Sequence, residues 1–187
     1  AQDKGASIVT TCETHLQADY IAGSRLLAAD LDLAFYANEA DFAGSAFSYT
    51  ALSDGQGVSG EPEVKALFTP GHTPGSTCYY IDNKYLVTGD TVFVDSVGRP
   101  DLGGKVDEWS GHLYTTLQKV ILALPEDTTI LPGHYMDWSE AGEGQLITGH
   151  LGDIIERNKH IYRLGTEDDF RSFIKENMRE QPPEYAR

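Results

Sequence analysis

Thr69-Pro70-Gly71-His72-Thr73-Pro74-Gly75 decides how this chain is read, because it follows directly on Val64–Phe68, an apolar run with the length and residue types of a strand. Pro70 and Gly71 stop that strand, and the turn they make aims one imidazole, His72, at whatever lies beyond the strand end. Three other segments repeat the layout of a strand, a turn and a metal-binding side chain. They are Thr14-His15-Leu16-Gln17-Ala18-Asp19-Tyr20, Thr88-Gly89-Asp90-Thr91 and Leu131-Pro132-Gly133-His134. A strand end is rigid, and a glycine beside it lets backbones crowd together, so four such segments can converge on one point without forming a single local motif. Two neutral imidazoles and a carboxylate make the facial triad that suits non-haem Fe(II) and also Zn(II). His15, His72 and Asp90 supply that set.

Outward from this segment, strands and helices alternate. A strand over Ala6–Cys12 precedes His15, and helical spacing runs from Tyr20 to Ala29. Leu33–Tyr36 reads as a short strand and Glu39–Ala43 as a brief helical piece, while Asp54-Gly55-Gln56-Gly57 marks a turn. Beyond His72, Ser76–Asp82 and Lys84–Thr88 predict a hairpin turning at Asp82-Asn83. A Gly/Pro-rich loop, Ser96–Gly104, leads to an amphipathic helix over Trp109–Leu124 with Leu113, Leu117, Val120, Ile121 and Leu124 on one face. Thr128–Leu131 is a buried strand. Helices follow at Leu151–Lys159 and Glu167–Met178, the second capped by Thr166 with Asp168 and Asp169 in its first turn. The pattern is α/β, a sheet-based sandwich in one domain over residues 1–187, with its site on the loop edge.

Composition narrows the function. Among 187 residues there are 14 Lys plus Arg against 29 Asp plus Glu, a formal net charge of -15, so a nucleic acid backbone is not an expected partner. No apolar run reaches the roughly 20 residues of a membrane span. Two cysteines, Cys12 and Cys78, are too few for a disulfide framework and fit a reducing, cytoplasmic setting. Both lie in strands and read as small buried hydrophobes rather than reactive thiols. His112, His150 and His160 have no matching partner segment and read as solvated or structural.

The ordered motifs T-H-L-Q-A-D-Y, T-P-G-H-T-P-G-S, T-G-D-T-V-F and G-R-P-D-L resemble the metallo-β-lactamase superfamily, and more narrowly its persulfide dioxygenase branch, related to glyoxalase II thioester hydrolases. The resemblance covers nearly the whole chain. It implies an αββα sandwich with metal at one edge of two sheets, and further strands before the first segment, supplied by a longer native chain or by another polypeptide. It also implies one Fe(II), held by His15, His72 and Asp90, in an enzyme that oxidises a small thiol persulfide such as glutathione persulfide with O2 to sulfite and free thiol. Members with two metals have His-x-His-x-Asp-His in the first segment. This chain has His15, Gln17, Asp19 and Tyr20 there, two imidazoles short.

Gln17 and Tyr20 are placed to hydrogen-bond a metal-bound water or the substrate, and Asp19 and His134 to orient ligands. Tyr20 packing on the following helix, and Asp19 capping it, are equally open readings. By the same analogy Arg99 binds the carboxylates of the substrate while Asp101 holds its loop, the plainer alternative being a salt bridge between the two. Three functional classes stand at this point: the iron dioxygenase, a zinc hydrolase of the same fold, and an inactive scaffold. Self-association through open sheet edges, and a rhodanese-type sulfurtransferase module following the chain after Pro182-Pro183, complete the expectations.

Overall fold

A computed structural model describes residues 2–17, 22–58 and 62–180. Asp19 and Tyr20, and Pro182-Pro183, lie outside the described residues.

Two sheets stack face to face. The smaller is parallel throughout, in the order β1 (Thr10–Cys12), β2 (Ala34–Ala37), β3 (Thr50–Ala51). Helix α1 (Ser24–Leu31) makes the crossover from β1 to β2, and α2 (Glu39–Phe42) follows β2, capped by the Asn38 side chain accepting from the Ala40 N–H. The larger sheet runs β4 (Gly57–Val58), β5 (Val64–Phe68), β6 (Thr77–Ile81), β7 (Tyr85–Gly89), β8 (Thr129–Pro132), β9 (Gly149–His150). Its neighbours are antiparallel except β7 and β8, which are joined in parallel through α3 (Val106–Lys119). Helices α4 (Leu151–Arg157), α5 (Lys159–Tyr162) and α6 (Glu167–Glu176) complete the outer layer, with α6 packed on α3. The β6–β7 turn is the expected one. Asp82 and Asn83 take φ of 50° and 51°, the mirror-image turn geometry whose twist matches the flanking strands.

Three clusters of buried side chains separate four layers. Phe35, Ala37, Phe42 and Ala28 fill the space between the small sheet and α1–α2. Leu52, Val58, Ala66 and Tyr79, with Tyr36 and Val87 against them, lie between the sheets. Cys78, Leu86, Leu113, Leu117, Ile121, Ile130 and Phe170 fill the space between the large sheet and its helices. The alternation is strict along the strands. Tyr79 faces one core while Cys78 and Tyr80 face the other, and Leu86 and Val87 divide in the same way, which is why β6 and β7 carry almost unbroken apolar sequence. This is the αββα order expected from the sequence.

Several boundaries differ from the sequence reading. The first strand begins at Thr10 rather than Ala6, because its ladder with β2 spans only Thr10–Cys12, and Ile8 and Val9 stay exposed at the sheet edge. The α3 helix starts at Val106 and stops at Lys119, with Ile121–Ala123 continuing as a 3-10 turn that still buries Ile121. Thr166 caps α6 as expected, its hydroxyl accepting from the Asp169 N–H. Among the described residues no helix is long and apolar enough to cross a membrane.

Candidate metal centre

Strands β5, β7 and β8 run in one direction, so the turns after them meet at one edge of the large sheet. His72 follows β5, Asp90 follows β7 and His134 follows β8. His15 arrives from β1 of the other sheet, and the Thr77 N–H donating to the Thr14 carbonyl at 2.8 Å ties its loop to that edge. Glycine is required where these turns touch. A side chain carbon on Gly89, which has φ +49°, would lie 2.5 Å from Thr14 Oγ1, and one on Gly133 would lie 2.8 Å from Asp90 Oδ1.

His15, His72 and Asp90 are all buried, and their nearest ligand atoms lie within 4.8 Å of one another. His72 Nε2 is 3.7 Å and His15 Nε2 4.0 Å from Asp90 Oδ2, and the two imidazoles meet edge to face. Each ligand has its own support. The Arg99 carbonyl, which only accepts, lies 2.9 Å from His72 Nδ1, so that nitrogen carries the proton and Nε2 presents its lone pair inward. His134 Nδ1 bonds the Asp90 carboxylate at 2.7 and 2.9 Å, and His15 Nδ1 meets Thr14 Oγ1 at 2.9 Å. Burial, reinforced by the neighbouring His72, pushes His15 down to about 4 against the pull of Asp90. Burial lowers His72 as well. For Asp90 burial acts upward, but the His134 hydrogen bond and the imidazoles of His72 and His15 together outweigh it and hold the carboxyl below its usual range. The set therefore rests as two neutral imidazoles and one carboxylate, the protonation a divalent cation needs.

The donor set fits a metal. His15 Nε2 is a buried nitrogen with no hydrogen-bond partner, aimed at the same point as the other two donors. An orphaned buried polar atom carries a desolvation penalty that a cation would relieve.

Gln17 comes into this group, its Nε2 lying 3.0 Å from His72 Nε2 and 3.2 Å from Asp90 Oδ2. His134 is half exposed and its Nδ1 meets the Asp90 carboxylate at 2.7 Å. Arg99 goes elsewhere. Its guanidinium makes a two-pronged pair with Asp101 at 2.8 and 2.6 Å and donates to the carbonyls of Arg179 and Glu180. It lines a cavity of about 370 Å³ with Met136, Phe173 and Met178, whereas the cavity beside His72, about 310 Å³, is lined by Leu16, Gln17, His72, Pro74, Leu102 and Trp109. The structure thus shows the plainer alternative, the loop salt bridge. His112, His150 and His160 are exposed and distant from the group in sequence and element.

Sequence reasoning missed Asp41. From α2 its carboxylate accepts from the Leu16 N–H at 3.0 Å, the Thr73 hydroxyl at 2.6 Å and the Gly75 N–H at 2.6 Å, tying the loop of His15 to the loop of His72. An acidic residue in the first turn of a short helix reads as a dipole partner, and nothing local signals a bond more than 30 residues away.

The sequence profile of the family described as "Metallo-beta-lactamase superfamily" matches residues 41–134, which hold His72, Asp90 and His134. The chain belongs to the metallo-beta-lactamase superfamily. A hydroxyacylglutathione hydrolase from Brucella anthropi is 31% identical over 157 residues, covering 83% of this chain and 58% of that protein. The crystal structure of a metallo-beta-lactamase from Staphylococcus aureus subsp. aureus COL superposes with a TM-score of 0.84 at 25% identity, over 99% of this chain and 58% of that one. ETHE1 from Myxococcus xanthus gives 0.79 at 22% identity, over 98% and 76%, and shares the fold. The chain spans between about a third and three fifths of the length of the curated relatives it matches.

Proposed function

We propose that this superfamily domain is the catalytic part of a mononuclear non-haem iron persulfide dioxygenase, acting on a small thiol persulfide. The observation that carries the reading is Gln17. At the place where two-metal members of the superfamily have a further imidazole, this chain has a carboxamide in contact with His72 and Asp90, and among the described residues the donors that come together, His15, His72 and Asp90, suit one ion. His15, His72 and Asp90 would hold Fe(II), which when bound would supply activation of dioxygen beside a sulfur acceptor. Overall, the persulfide, O2 and water give the thiol, sulfite and two protons, the terminal sulfur being oxidised and dioxygen reduced.

The chain's own residues bind and orient. His15 and His72 present neutral lone pairs, and Asp90 brings one negative charge whose direction His134 fixes. Leu16, Pro74, Leu102 and Trp109 give the adjoining cavity an apolar wall against which a sulfur group can rest. Asp41 keeps the His15 and His72 loops in register, so both imidazoles address one point.

The test is elemental analysis of anaerobically purified protein together with oxygen uptake on adding glutathione persulfide. About one iron per chain with uptake supports the reading. A second reading, a zinc-dependent thioester hydrolase, is favoured by the similarity to hydroxyacylglutathione hydrolase, and there a zinc-bound water with a pKa of about 7 would be the nucleophile. Zinc, thioester cleavage and no oxygen uptake would establish it instead. Absence of tight metal after growth with iron and zinc would leave the inactive scaffold.

A further inference from the structure

Gln17 offers one amino group to two acceptors that are themselves metal donors. His72 Nε2 has only a lone pair to give, because the proton sits on Nδ1 facing the Arg99 carbonyl, and the Asp90 carboxylate accepts only. Both contacts are therefore N–H donations from Gln17 Nε2, and the amide can face the group in one orientation alone. A lone pair engaged by an N–H is closed to a cation, so the amide bonds and metal ligation at His72 and Asp90 exclude each other.

We propose that Gln17 is a loading gate, a side chain whose amino group imitates a cation at two of the three donors and must swing away before a divalent metal is bound. The proposal rests on the metal-site reading above and is independent of which reaction the metal serves.

The competing role for such a residue is to aim the ligands, which would make it favourable to metal binding. The geometry decides between them. His72 is already held by the Arg99 carbonyl, Asp90 by His134 and His15 by Thr14, none of which involves Gln17. With orientation secured elsewhere, the Gln17 bonds count only against the metal. Two such bonds, one of them to a carboxylate, correspond to a weakening on the order of 50-fold. The preceding residue, Leu16, is fastened to Asp41 through its backbone N–H, so the pivot of the side chain is fixed while the amide turns.

The experiment uses the full chain stripped of metal, titrated with Co(II) and followed by visible absorption, and with Zn(II) against a chromogenic chelator. Gln17→Met keeps the volume and removes both N–H groups. Tightening on the order of 50-fold for both ions is expected. Affinity equal to or weaker than the wild type in a variant that melts normally would overturn the gate. A His72→Ala control separates the two levels of the argument. If it binds metal like the wild type the metal site itself is wrong, and if it loses metal while Gln17→Met is unchanged only the gate fails. Should Gln17→Met not fold, Gln17→Leu, which also lacks both N–H groups, decides the matter in the same titrations. Tighter binding than the wild type supports the gate, and affinity equal to or weaker than the wild type overturns it.

Discussion

Asp41 is the residue whose loss should do most damage without touching the metal donors. It accepts three hydrogen bonds from two separate ligand loops, and Asp41→Ala removes all three at once. A thermal or denaturant melt should show a loss of about 3 kcal/mol. Metal affinity should fall roughly 10- to 100-fold, the range seen when partners behind metal ligands are lost. Stability lost with unchanged metal affinity would mean that the loops hold their positions without it. Arg99 makes the opposite case. Its fork is engaged with Asp101, whose side chain is almost wholly buried, and with carbonyls after α6. Arg99→Ala should therefore lower stability by about 1–3 kcal/mol and leave metal content unchanged. A variant of wild-type stability with weaker substrate binding would restore the analogy that places Arg99 on the substrate. What the sequence could show at this scale follows the same division. His15, His72, Asp90 and His134 stood out because each follows a strand and a turn, whereas Asp41 acts through the tertiary fold and carries no local mark.

At the scale of elements, the loop from Ser96 to Gly104 is the back wall of the metal edge. Gly98 lies so close to β7's end that a side chain carbon there would sit 1.7 Å from the Asp90 carbonyl oxygen and 3.1 Å from His72 Cβ. Gly98→Ala must push this loop off the Asp90 turn, and the loop also carries the Arg99 carbonyl that fixes the His72 tautomer. A cost of about 3 kcal/mol is expected, together with loss of metal. An alanine variant that melts and binds metal normally would show that the contact relaxes freely. The same elements show where periodicity informs and where it does not. β5 and the β6–β7 hairpin were legible because residue alternation and the Asp82-Asn83 turn are local signals. The early limit of α3 was not, since Val106 to Glu108 carry little of the apolar stripe, and the helix there is set by packing further along. β3 and β4, two residues each, exist only as ladder partners of β2 and β5 and leave no pattern of their own.

At the scale of the molecule, the two cysteines report on the two inner boundaries of the sandwich. Cys12 packs against the core between the sheets, and Cys78, with no exposure, lies between the large sheet and its helices. Burial raises both thiols to about 11 from an ordinary 9.0. The sign follows. A thiol raised in the folded state adds stability that is fully present below pH 9.0 and is lost as pH climbs toward about 11, because the unfolded chain ionises first. Melts should hold level from pH 8 to about pH 9 and fall between about pH 9 and pH 11. At pH 8 a thiol reagent should modify Cys78 only through opening of the fold, more slowly than the half-buried Cys12. Metal links this behaviour to the site. A cation at 100 times its Kd stabilises the folded chain by about 2.7 kcal/mol, enough to slow modification of Cys78 roughly a hundredfold if the opening that exposes it also dismantles the triad. Protection of Cys78 by Zn(II) or Fe(II), abolished in His72→Ala, is the expected result. Modification of Cys78 at a rate indifferent to metal would mean that the helical side of the sandwich opens while the His15, His72 and Asp90 edge stays closed.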